Sequence, residues 1–106
     1  MSKIFDKLVD AVKEHSGMTD DEVAEAGRQG ADAGFPGFTY FKDTIKFYND
    51  YEKEIWAVLV EQADQMGEDV LKFISSFRTK VNSLDEFKNL LAWYALEEAG
   101  RYLEES

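Results

Sequence analysis

Few residues in this chain are equipped for chemistry. Among 106 residues there is one His, His15, and no Cys. Without Cys there are no disulfides and no thiolate metal sites. A single imidazole also excludes the paired Glu-x-x-His motifs with which facing helices hold a di-metal centre. No nucleophile motif and no Gly-rich phosphate loop occurs. What remains is acidic. Glu98 falls inside an apolar helical stripe, between Ala95 and Tyr102 in azimuth. A carboxylate there is either paired or raised in pKa. Arg101, three residues on, is its nearest partner, with Arg28 and Arg78 available across the fold. A general acid in a pocket and a structural ion pair both fit Glu98, and the ion pair is the preferred reading. Asp64 and Glu68, four apart, could touch a hard cation, but a solvated face accounts for them more simply. His15 suits the negative end of a helix dipole better than a base. The expectation is a protein with no catalytic residue, no metal and no cofactor.

Charge is the stronger signal. The net charge is −10, from 22 Asp and Glu against 12 Lys and Arg. The excess is spread along the chain and not gathered in a tail. Such acidity favours solubility and basic partners. Direct nucleic-acid binding is disfavoured, because it needs clustered Lys and Arg and no third of the chain is basic. From Glu54 to Leu71 there is no Lys or Arg. Asp50, Glu54, Glu61, Asp64 and Glu68 fall on the side of a helix opposite Trp56 and Leu59. At ~1.5 Å per residue that stripe is about 27 Å long. A second base-free run, Glu14 to Gly27, contains Asp20, Asp21 and Glu25. The two surfaces can imitate a phosphate backbone toward a basic groove. Ordinary solubilising charge is the competing account.

These residues must be positioned by helices. Apolar spacing follows 3.6 rather than 2 nearly everywhere, and 44% of residues are hydrophobic, enough to build one modest core. The expected fold is all-α: a single domain over residues 1–106, with five to six helices packed around a central carboxy-terminal helix. The first helix carries Ile4, Phe5, Leu8, Val9 and Val12 inward and stops at Gly17. Thr19-Asp20-Asp21-Glu22 is a capping box that opens the second. There Val23, Ala24, Ala26, Gly27, Gly30 and Ala31 share one side. Internal Gly costs ~1 kcal/mol relative to Ala, so a small-residue face predicts close approach of another helix, in preference to a ligand groove. Gly34 and Pro36 end that segment, and Thr39 is expected to cap a short helix with Phe41, Ile45 and Tyr48. Asn49 or Asp50 restarts a longer one, with Ile55, Trp56, Leu59, Val60, Ala63 and Met66 inward. Gly67 marks a break, Val70 to Phe77 a short helix, and Ser83 to Glu86 a second capping box. The last helix runs to about Leu103. It is apolar on two sides, Leu84 to Ala95 on one and Ala92 to Leu103 on the other, which makes it central. The longest apolar run, Ile55 to Val60, is far too short for a membrane span, and the amino end shows no signal-peptide pattern. A soluble protein of the bacterial cytoplasm is expected.

The stretch Gly30-Ala31-Asp32-Ala33-Gly34-Phe35-Pro36-Gly37-Phe38-Thr39-Tyr40, with the later Leu91-Ala92-Trp93-Tyr94-Ala95-Leu96-Glu97-Glu98-Ala99, resembles a family of small acidic proteins carried by bacteriophages, plasmids and bacterial genomes. The family has no assigned activity and brings no catalytic residue. The resemblance implies a mobile-element origin, and with it an inhibitor of host defence. Three classes of function follow. The first is a non-enzymatic binding protein that occludes a basic, nucleic-acid-binding surface of a host-defence complex, an anti-CRISPR protein being its most concrete form. The second is an adaptor that binds through an aromatic patch of Phe35, Phe38 and Tyr40. The third is an enzyme or small-ligand binder with a pocket near Glu98. The sequence names no partner and no oligomeric state.

Overall fold

The computed structural model describes residues 3–29 and 42–105. Among these there are six helices and no strand. They are α1 (Lys3–Ser16), α2 (Asp20–Gln29), α3 (Thr44–Asp50), α4 (Glu52–Gln65), α5 (Val70–Arg78) and α6 (Leu84–Glu105). The radius of gyration, 12.8 Å, is that of one globule of this length, for which about 13 Å is expected.

Local chemistry sets most of the boundaries. Gly17, at φ 75°, ends α1, and its N–H donates to the Lys13 carbonyl at 2.8 Å. Only Gly enters that region without steric cost. Thr19 and Glu22 then form the capping box reciprocally. The Glu22 N–H donates to Thr19 Oγ1 at 3.2 Å, and the Thr19 N–H to Glu22 Oε1 at 2.9 Å. At α6 the Glu86 N–H donates to Ser83 Oγ at 3.1 Å, while the Glu86 carboxylate reaches one residue further back, to the Asn82 N–H at 3.0 Å. Asp69 caps α5, accepting from the Leu71 N–H at 2.8 Å.

Two boundaries differ from the sequence expectation. Thr39, Phe41 and the Gly34 cap lie outside the described residues. Lys42 and Asp43 are not helical, however, so the helix bearing Ile45 and Tyr48 begins at Thr44, and Asp43 caps it by accepting from the Lys46 N–H at 3.3 Å. The junction after it falls at Tyr51 and not at Asn49 or Asp50. The Tyr51 N–H donates to the Phe47 carbonyl and its carbonyl accepts from Ile55 N–H, both at 3.0 Å. The hydrogen-bond ladder therefore almost carries through, and no polar side chain is needed to restart it.

α6 packs against all five other helices. It buries Leu91, Ala92, Ala95, Leu96, Ala99 and Gly100, which meet Leu8, Val12, Val23, Phe47, Ile55 and Leu59 in one core. Its crossing with α2 is set by glycine. A Cβ at Gly27 would lie 2.7 Å from the Gly100 Cα, and one at Gly100 would lie 2.6 Å from the Gly27 Cα. The small-residue face of α2 thus serves helix packing at Gly27; Gly30 and Ala31 lie outside the described residues. Elsewhere the inward assignments need correction. Val60 and Met66 point outward, 49% and 59% exposed, and Leu84 is 66% exposed. α4 is covered along Ile55, Val58, Leu59 and Ala63, and Val58 takes the inward place given to Val60. Leu84 starts α6 beyond the reach of the bundle. Among the described residues no helix is long and apolar enough to cross a membrane.

Candidate functional site

Glu98 is the one buried charged residue among those described, with 3% of its surface exposed. Its position in the middle of α6 forces it inward, and two side chains meet it there. Gln62 of α4 donates from Nε2 to Oε1 at 2.9 Å, and Arg101 Nη1 lies 2.8 Å from Oε2. Arg101 also reaches Glu97 at 3.3 Å. The site opens on a shallow depression of about 210 Å³ lined by Phe5, Glu61, Gln65 and Tyr102. Burial pushes the Glu98 carboxyl above its ordinary value; Arg101 opposes the rise, and the charges of Glu97 and Glu105 add to it. The neighbouring Tyr94 hydroxyl is raised as well, by burial first and by Glu98 second. Arg101 was the partner expected from sequence. Gln62 was not foreseen, although it follows Val58 by four residues and so shares the inner edge of α4. Through these two contacts Glu98 ties α4 to α6. Arg28 is committed elsewhere, to Glu25 within α2 and to Glu104 of α6 at 2.6 Å.

His15 anchors the end of α1 to the chain before α3. Its Nε2–H donates to the Lys42 carbonyl, and its ring lies 5.1 Å from Phe47. Among the described residues no three His, Asp or Glu side chains converge as metal ligands would.

The acidic surface is less uniform in space than along the chain. Asp50 pairs with Lys46 at 2.8 Å and Asp20 with Lys13 at 2.6 Å. Glu25 is held by Arg28. Glu54 shares an open depression with Lys3 and Lys7 of α1 and with its own neighbour Lys53, so cations lie near this end of the stripe. Glu61 borders the Arg101 site. Asp64 and Glu68, at the end of α4 and in the turn after it, have no ion pair among the described residues, and Asp21 has none either. The two acidic runs lie on α2 and α4, each packed on α1 and α6. Phe35, Phe38 and Tyr40 lie outside the described residues.

A further surface was missed. An open groove of about 550 Å³ runs between α4, α5 and the start of α6, lined by Trp56, Leu71, Ile74, Arg78, Leu84 and Phe87. Leu71 is 74% exposed on its rim.

Fold and surface together define a small acidic helical domain with one buried carboxyl among the described residues. The chain belongs to the family described as domain of unknown function DUF7222, whose model matches residues 6–106. No curated protein and no solved structure matches it.

Proposed function

We propose that this protein is a non-enzymatic binding protein whose acidic surface occludes a basic, nucleic-acid-binding surface of another protein. In its sharpest form it is a phage or mobile-element product that blocks a host-defence complex, as anti-CRISPR proteins do. The observation that carries the proposal is the pair Asp64 and Glu68, which has no ion pair among the described residues and closes an acidic stripe on a chain of net charge −10. Neighbouring like charges cost a few tenths of a kcal/mol each, and a basic partner relieves that cost. The engagement of both Glu98 oxygens weighs against an enzyme reading.

The test is capture of partners from host lysate at low and high salt, with the parent and with Asp64→Lys/Glu68→Lys. Capture of a nucleic-acid-binding protein that weakens with salt, as the Debye length shortens to about 3 Å at ~1 M, and weakens further with the reversals, supports the proposal. Capture indifferent to both removes it.

A further inference from the structure

Among the described residues the four large hydrophobic side chains left exposed, Val60, Met66, Leu71 and Leu84, all fall between the middle of α4 and the start of α6. Charge on this part of the chain is segregated. Residues 61–69 hold Glu61, Asp64, Glu68 and Asp69 and no cation, whereas residues 70–84 hold Lys72, Arg78 and Lys80 and no carboxylate. Acidic residues on both sides hide this short basic run when the chain is read in larger blocks. None of the three cations has an ion pair among the described residues. Leu71 and Arg78 stand two turns apart on α5 and both line the groove, while on α4 Trp56 lines it and Val60, one turn further along, is exposed.

A face with an apolar groove, a negative half and a positive half is complementary to itself under a two-fold rotation. We infer that a second copy of this chain docks on the α4–α5 face, setting Asp64, Glu68 and Asp69 at the α4–α5 turn of each copy against Arg78 and Lys80 at the far end of α5 in the other, over the Leu71–Leu84 groove. A partner of one charge would satisfy only half of this surface. The layout of apolar centre and charged rim is that of protein interfaces. Repulsion between two chains of net charge −10 is screened beyond about 8 Å at physiological salt, so the close opposite charges dominate. The inference does not rest on the basic-partner proposal. The dimer covers Asp64 and Glu68, so it competes with such a partner, and a variant that is monomeric through its cations alone keeps the acidic surface free.

Sedimentation equilibrium of the full chain at physiological salt, from about 1 µM to about 1 mM, tests this. The expected result is a reversible dimer. Leu71→Asp/Leu84→Asp and Arg78→Glu/Lys80→Glu should each weaken it at least about tenfold, with unchanged helical circular dichroism because these side chains face solvent. Arg78→Glu/Lys80→Glu and Asp64→Lys/Glu68→Lys, each weakened alone, should form a heterodimer when mixed. A chain that stays monomeric at every concentration overturns the inference, including the case in which the groove receives a helix of another protein. A dimer that survives all three pairs of changes overturns it too.

Discussion

Replacing Gly100 by Ala asks whether α2 and α6 are in backbone contact. In an isolated helix the substitution is favourable by ~1 kcal/mol. Here the added Cβ would lie 2.6 Å from the Gly27 Cα and 2.7 Å from the Gly27 N, with the Val23 carbonyl oxygen closer still. Carbon atoms prefer about 3.5–4.0 Å, so α2 must retreat by about 1 Å. The obstructing atoms are helix backbone and have no rotamer to change. The retreat loosens the packing of Val23 and Ala26, both fully buried. Overpacking costs ~1–3 kcal/mol, and rigid neighbours place this site at the upper end. Subtracting the propensity gain leaves a net loss of about 2 kcal/mol. At ~4–8 °C per kcal/mol for a domain near this size, Tm falls by roughly 10 °C. Thermal and urea unfolding followed by circular dichroism read both quantities. Gly27→Ala is the reciprocal change, its Cβ lying 2.7 Å from the Gly100 Cα. One separation of the helices relieves both clashes, so the double mutant should lose less than the sum of the singles. A Gly100→Ala protein as stable as the parent would refute the glycine crossing.

Glu98→Gln reports on pH. The native carboxyl is raised above its ordinary 4.5, so above that value the native state holds a proton that the unfolded chain has released. Parent stability therefore falls as pH rises from the ordinary value through the native one. Gln does not titrate, so the mutant's Tm relative to the parent should be higher at about pH 7 than at about pH 4; an offset that is constant with pH contradicts the raised carboxyl. Thr19→Ala removes one half of the α2 capping box and should cost ~1 kcal/mol in urea unfolding, and no change would mean that the cap is idle. Phe47→Ala empties a fully buried site and should cost ~3–5 kcal/mol; a loss below ~1 kcal/mol would contradict its place in the core. Asp64→Lys/Glu68→Lys should leave Tm within about 0.5 kcal/mol equivalent of the parent, since neither side chain is buried, and a cooperative loss of fold would show that they are structural.

The sequence by itself determined the helical class and most helix ends. Capping boxes at Thr19 and Ser83, the stop at Gly17 and the central α6 all depend on residues within about one turn of each other or on one helix face. The Glu98–Arg101 pair was readable for the same reason, being three residues apart on α6. Gly27 announced a close approach but not its partner. That this partner is Gly100, that Gln62 holds the other oxygen of Glu98, and that Lys3 and Lys7 stand beside Glu54 were decided by chain path. So was the exposure of Val60, Met66, Leu71 and Leu84. Periodicity records which side chains seek cover, whereas cover comes from elements distant along the chain. α5 and the start of α6 diverge around a groove that no element among the described residues fills. The same distance rule separates charge from sequence. The acidic stripe of α4 has Lys3 and Lys7 of α1 lining the same depression as Glu54, whereas Asp64 and Glu68 have no ion pair among the described residues, because Coulomb interactions act through space and a helix some fifty residues away can come near.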